Sequence, residues 1–354
     1  METIGIIGFG NMGEAFAAGL RAKLPEVKLA VVEKLSPRSS IAKDRYGALD
    51  CTGDWGKFFS LAEVTILAVK PQDAESLLRE ISPYSRGKRF ISIMAGKPIA
   101  LLQKHLPTPY LCRFMPNLAA MYGKAAIGVA FPEGLPESQG LSEKQGIPEH
   151  RGITGQGIAE PRGITGRGAT PEPQTQTLAG QRGIPKPQAQ TLAGQEGISG
   201  SQGLDEQQGS AGVPSREMPP SKEEMDSFKT QCLQIAGAVG KPIQIPERLM
   251  PMMTGLSGSG IAFVFQFVHA MALGGVKTGF GYSAALETAL QVVEGAVEVL
   301  RKTGETPSAW ITRVASPAGT TIEGLQVLEE GGFTASVMGA VEAASRRAEE
   351  LEGV

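Results

Sequence analysis

The chain has 354 residues, a formal net charge of −2 and an isoelectric point near 6.1, which is length enough for two domains with their own cores, or two plus an appendage. That balance leaves no electrostatic footprint for nucleic acid or an anionic membrane, so a small-molecule partner is expected. Cys51, Cys112, Cys232, His105, His150 and His269 are scattered without CxxC spacing, which argues against a metal site, a disulfide framework or a histidine-centred triad and for buried thiols in a reducing cytoplasm.

The first thirteen residues, METIGIIGFGNMG, read as strand, tight glycine turn and helix start. Gly8 suits the turn, Gly10 lets a pyrophosphate approach the backbone, and Gly13 lets the helix pack closely on the strand, while the amides that open the helix face the phosphates. A second strand, Lys28 to Val32, ends at Glu33, about where an acidic residue holds the ribose hydroxyls of NAD. Lys34, Ser36 and Arg38 pull the other way, toward a 2′-phosphate and NADPH, so NADPH or NADH is expected without a choice between them.

Short apolar runs follow at Val64 to Val69, Arg89 to Met94, Tyr110 to Phe114 and Ala126 to Phe131, the kind that doubly buried parallel strands give. Helical segments, Gln72 to Ile81 and Pro98 to His105, lie between them. The expectation is a doubly wound sheet with the nucleotide across its carboxyl edge, near the turns Val69-Lys70-Pro71 and Met94-Ala95-Gly96. Lys70 reads either as a chemical participant or as a loop lysine before proline.

Composition changes abruptly after Phe131. Residues 132–220 are rich in Gly, Pro, Gln, Ser and Thr and repeat internally: PEPQTQTLAGQRGI is followed by PKPQAQTLAGQEGI. Such a segment is too polar to build a core, so a long disordered insertion is expected, and lengthening a loop to this size costs roughly 3 kcal/mol. Ser221 with Glu224 predicts a capping box for a helix to about Val239, and PIQI from Pro242 predicts one more strand. The dinucleotide-binding domain is therefore expected at 1–131 and 221–246, interrupted rather than ended by the insertion.

From 247 to 354 the pattern is helical: Ser259 to Gly274, Ser283 to Lys302, Thr320 to Glu330 and Phe333 to Glu350. The first of these is apolar nearly all round and needs burial on every face, so a second subunit is expected to cover it. Gln266, His269 and two glycines break the run Ile261 to Val276, which argues against a membrane span. The start of the chain enters a strand with no basic leader, so a cytoplasmic protein is expected.

Two small-residue loops precede helices in this part, Thr254 to Gly260 and Ser316 to Ile322. Each reads either as a carboxylate receptor of amides, hydroxyls and a helix dipole, or as ordinary Ser and Thr capping.

With GFGNMGEA, LAVKPQD, SIMAG, RFMPN, TGLSGSG, GGVKTGF and SPAGTTIEGLQVLEEGGF, the chain resembles the pyrroline-5-carboxylate reductase family over nearly everything but the insertion. The resemblance implies a Rossmann-like domain followed by an all-α dimerisation domain, assembled as a homodimer or a larger ring of dimers. It implies reduction of 1-pyrroline-5-carboxylate to L-proline by NADPH or NADH. The cofactor would lie on Gly8, Phe9, Gly10, Asn11, Met12 and Gly13, with Glu33, Val69, Lys70, Pro71, Ala95 and Gly96 around it. The substrate carboxylate would meet Gly319, Thr320 and Thr321 of one subunit, with Ser257, Ser259 and Gly260 nearby, and Thr321 and Ser257 as the catalytic residues. No metal is implied. Family members usually carry Asp at Pro251, Pro at Ile261, an acidic residue at His269 and Gly at Ala318. Those departures, with the repeats, define an alternative: a degenerate paralogue that binds nucleotide and acts as a regulatory or scaffolding protein.

Overall fold

Residues 3–132 and 220–353 are described by the computed structural model. In chain order the first part holds β1 (Thr3–Ile7), α1 (Asn11–Lys23), β2 (Lys28–Val32), α2 (Ser36–Tyr46), β3 (Leu49–Asp50), α3 (Trp55–Leu61), β4 (Val64–Leu67), α4 (Ala74–Ile81), β5 (Arg89–Ser92), α5 (Ile99–His105), β6 (Leu111–Met115) and β7 (Ala125–Ala130). After the repeats come α6 (Lys222–Val239) and β8 (Gly240–Gln244). The capping box forms: Ser221 Oγ accepts from the Glu224 amide while the Glu224 carboxylate accepts from the Ser221 amide, two orphan donors satisfied at once. The repeats from 133 to 219, expected to be disordered, lie outside the described residues.

The strands form one sheet in the order β3-β2-β1-β4-β5-β6-β7-β8. Its central strands are buried on both faces, which is why they read as unbroken apolar runs. On one face α1 and α6 bury Phe16, Leu20, Phe228 and Ile235; on the other α3, α4 and α5 bury Phe58, Phe59, Leu78, Ile81 and Leu102. All pairings are parallel except β6 with β7, so the run Ala126 to Phe131, read among the parallel strands, is antiparallel to β6 and parallel to β8. Only residues 116–124 separate β6 from β7, less than the dozen or so that a parallel crossover needs.

The second part is helical: α7 (Met250–Met253), a π-helical segment Thr254–Ser259, α8 (Gly260–Lys277), α9 (Tyr282–Thr303), α10 (Pro307–Val314), α11 (Thr320–Glu330) and α12 (Phe333–Glu352). Thr254 to Gly260 is thus not the loop that its small residues suggested. Its backbone runs on from α7 into α8 as a π-helical turn, a geometry frequent at functional sites, and Thr254 Oγ1 bonds back to the Met250 carbonyl.

Glu247–Lys277 is long and apolar enough to cross a membrane by length and composition alone, and only 11 % of its most apolar window is buried within the chain. Val264, Phe265, Leu273 and Val276 on α8, with Leu290 and Val292 on α9, are exposed, and so are Val327 on α11 and Met338 on α12. A face of this size on a single chain calls for a covering partner.

Candidate functional site

The strand order reverses at β1: the chain builds β2 and β3 on one side of it and then returns to place β4 on the other. The carboxyl ends of β1 and β4 are the crevice where doubly wound sheets hold ligands. A cavity of about 690 Å³ lies there, lined from the glycine turn by Gly8, Gly10, Asn11 and Met12, from the end of β2 by Glu33 to Leu35, and from beyond β4 and β5 by Val69, Lys70, Pro71 and Ala95.

The three glycines do different work. Gly8 has φ +92°, and a Cβ there would meet the Ala68 carbonyl at 2.8 Å. At Gly13 a Cβ would fall 2.2 Å from the Gly8 carbonyl oxygen, so glycine lets α1 start against the turn. At Gly10 an added Cβ would meet nothing within 4 Å beyond its own chain neighbours, and the missing side chain leaves open space at the N-terminus of α1. That gap, under the first amides of a helix, fits a pyrophosphate. The Phe9 side chain is fully buried in the core. Its amide, not its ring, belongs to the turn.

Glu33 ties the turn together. One carboxylate oxygen accepts from the Phe9 amide at 2.5 Å and the other from the Leu35 amide at 2.8 Å, while the Glu33 backbone exchanges bonds with Thr52 Oγ1. Arg38, at the rim, donates to Glu14 Oε2 at 3.0 Å and to Asn11 Oδ1 at 3.2 Å, and Arg45 and the Tyr46 hydroxyl take the other Glu14 oxygen. Burial first, and the Glu14 charge second, push the Tyr46 phenol above its usual value, so it stays a donor to that carboxylate.

Gly96 stands behind the cavity wall with φ +67°, its Cα face against the Leu351 carbonyl at the end of α12. Nearby, Arg113 is 1 % exposed and holds two carboxylates, Glu247 at 3.3 Å and Glu352 in the last turn of α12, while the Ile99 amide donates to the same Glu247 oxygen. The guanidinium fork joins the middle of β6 to the turn just before α7 and to the last turn of α12.

The second group of residues is separate from the cavity lining. Ser257 is 7 % exposed, donates to the Ala126 carbonyl at 2.9 Å and accepts from Asn117 Nδ2 at 3.1 Å. Its hydroxyl is engaged in joining the π-helical turn to β7. Ser259 and Gly260 are half-buried on the same turn.

Gly319 caps α11 at its N-terminus, and Thr320 and Thr321 are its first two residues. The turn before it, Ser316 to Gly319, is closed by the Gly319 amide bonding the Ser316 carbonyl at 3.0 Å, with proline second and Ala318 third at φ +55°. This is the type II pattern, whose third place favours glycine, and Ala318 is the one non-glycine residue with positive φ among the described residues. Pro251 sits buried at the start of α7, and Ile261 is half-buried in the first turn of α8. The His269 ring shares a hydrogen bond with the Tyr282 hydroxyl at 3.3 Å, which accounts for it as a satisfied surface residue.

Sequence reasoning gave no role to Trp55, Asp73 and Leu77, which line the cavity, or to Arg113 and Asn117, although the last two lie in the RFMPN block. Burial of a charged Arg113 on an apolar strand is the signal that could have marked it.

Residues 247–351 match the family model described as pyrroline-5-carboxylate reductase dimerisation, and residues 3–96 the model described as NADP oxidoreductase, coenzyme F420-dependent. Along its length the chain is similar to the pyrroline-5-carboxylate reductase of Aquifex aeolicus, 27 % identical over 98 % of this chain and 97 % of that one. The corresponding protein of Methanosarcina acetivorans is 29 % identical over 99 % and 98 %. Pyrroline-5-carboxylate reductase 3 of Rattus norvegicus is 47 % identical, over 32 % of this chain and 42 % of its own. Among solved structures the fold matches pyrroline carboxylate reductase of Plasmodium falciparum with NADP bound, at TM-score 0.66 and 21 % identity over 99 % and 98 % of the two chains.

Proposed function

We propose, from the premise that this chain belongs to the pyrroline-5-carboxylate reductase family, that it reduces 1-pyrroline-5-carboxylate to L-proline with NADPH or NADH, the last step of proline biosynthesis. The observation that carries the nucleotide half of this reading is the open space at Gly10, at the switch point of the sheet and under the first amides of α1. Bound there, the dihydronicotinamide supplies a hydride. The substrate is a cyclic imine that is already electrophilic when protonated, so the protein's task is placement and exclusion of water rather than strong acid catalysis.

Placement falls to this chain's own groups. The backbone amides of Thr320 and Thr321 and the two threonine hydroxyls, at the positive end of α11, receive the substrate carboxylate, with Gly319, whose own amide closes the turn on Ser316, giving it room to approach. Ser259 and Gly260 flank it. Ser257, proposed from sequence as catalytic, is better read as a positioning residue, because its hydroxyl is held by Ala126 and Asn117. Thr321 remains the residue assigned to contact the substrate. None of these residues lines the nucleotide cavity, so the reading assigns them to a site completed across two subunits.

The domain division follows: nucleotide binding in 1–131 and 221–246, dimerisation and substrate binding in 247–354. The chain forms a homo-oligomer through its dimerisation region, and we take the assembly to be a dimer or a ring of dimers in the cytoplasm. The test is direct. Purified protein with 1-pyrroline-5-carboxylate should oxidise NADPH or NADH, and Thr321→Ala should raise KM for the imine more than it lowers nucleotide affinity. Absence of turnover with both nucleotides would refute the activity.

A further inference from the structure

Trp55 opens α3, directly after the edge strand β3. The strand order puts β3 and β2 at one end of the crevice and β5, with Ala95, at the other, so Trp55 and Ala95 are wall residues from opposite ends of one cavity. The glycine turn lies between them. A dinucleotide with its pyrophosphate at Gly10 has one base at each end, and the end beyond Glu33, the usual ribose partner, takes the adenosine.

The indole is fixed from behind. Its Nε1–H donates to Glu80 Oε1 on α4 at 2.9 Å, and it packs on Phe58 and Phe59, each with ring centroids 6.1 Å away, edge-on to the first and tilted 33° to the second. Those two phenylalanines are themselves buried in the core. An aromatic ring anchored by a hydrogen bond at its edge and by two rings at its back, while lining a cavity, is preorganised to present a flat apolar surface. The same cavity is lined by the apolar Leu35 and Leu77 and by the charged Lys34, Arg38 and Asp73. A purine fits this mix of apolar and charged lining.

We propose that Trp55 is the stacking wall for the adenine ring of the dinucleotide. The proposal rests on the nucleotide-binding reading above and adds a binding residue to it. Stacking of a base on an aromatic side chain corresponds to about 5- to 150-fold in affinity by alanine substitution.

The chain has two tryptophans, and the second, Trp310, lies on α10, bonded to Thr303. In full-length Trp310→Phe protein, Trp55 is the sole indole emitter. Titration with ADP and with 2′,5′-ADP, neither of which carries a nicotinamide, should quench its emission saturably, at the midpoint that calorimetry gives for the same ligand. In the otherwise native chain, Trp55→Ala should weaken the tighter of the two ligands about 10- to 100-fold, and Trp55→Phe by no more than about 3-fold. If Trp55→Ala fails to fold, the quenching measurement decides alone. The proposal is overturned if a ligand that calorimetry shows to bind leaves the emission unchanged, or if the alanine and phenylalanine variants bind equally. In that outcome the reductase reading stands. If calorimetry finds neither ligand bound by the native chain, the stacking proposal is overturned, and turnover with NADPH or NADH decides the reductase reading separately.

Discussion

Replacing Gly10 and Gly13 by alanine should separate binding from folding, although both glycines sit in one turn. Gly10 has φ −73° and ψ −165°, a conformation open to alanine, and its added Cβ would meet nothing within 4 Å beyond its own chain neighbours. Gly→Ala at a compatible site stabilises by about 0.4–1 kcal/mol through the unfolded chain, so Tm should hold or rise by a few degrees. The methyl group would instead stand in the space left for the pyrophosphate, and nucleotide affinity should fall by about 10-fold or more, ~1.4 kcal/mol. At Gly13 the added Cβ would lie 2.2 Å from the Gly8 carbonyl oxygen, and backbone must move. Overpacking of that kind costs about 1–3 kcal/mol, so Tm should fall by about 2–10 °C. Differential scanning calorimetry and nucleotide titration on the two variants suffice. Equal loss of Tm in both, or unchanged nucleotide affinity in Gly10→Ala, would refute the reasoning.

Ala318→Gly should relieve the positive-φ alanine, a gain of about 1–2 kcal/mol offset by about 0.5–1 of extra chain entropy, so thermal melting should show Tm level or higher and steady-state kinetics a lower KM for the imine; a clear drop in Tm would contradict this. Arg113→Met leaves Glu247 and Glu352 facing each other without their cation and should cost about 3–5 kcal/mol in urea unfolding, whereas a loss below about 1 would show that the fork does not hold the two parts together. Burial first, then the neighbouring Cys232, holds the Cys112 thiol well above its ordinary 9.0. The unfolded chain releases that proton near pH 9.0 while the native state keeps it, so the contribution is complete below pH 9 and is lost as pH climbs toward the folded value. Urea midpoints at pH 8 and pH 10.5 should therefore diverge more in the native chain than in Cys112→Ala.

The nucleotide end of the molecule was legible because each residue there answers a local steric or hydrogen-bonding demand. Gly8 and Gly13 need glycine for the steric reasons their order suggests, the space beside Gly10 is open, and Ser221 with Glu224 marked the start of α6 to the residue. The family was legible from the blocks at both ends of the chain. Less legible was whatever depends on partners distant in sequence. Strand β3 is two residues long and carries no periodic signal, so Trp55 after it had no context to mark it as cavity wall. The small residues of Thr254–Ser259 looked like a loop because glycine and serine have weak helix propensity, and continuity with α7 and α8 overrode that preference. Glu33 looked like a ribose ligand alone. Its two bonds to the Phe9 and Leu35 amides show that the same carboxylate also shapes the turn.

The pairing of β7 with β8 has a consequence for how the protein is made. Residues 131–239 are translated between the two strands, which takes about 5 to 20 s at ~5–20 residues per second. Throughout that interval the nascent sheet ends at β7, whose outer backbone groups await a partner not yet synthesised, and the surface later covered by α6 is bare to the ribosome's surroundings. Molecular chaperones should engage the ribosome-bound chain in this window, and release should coincide with emergence of Gln244.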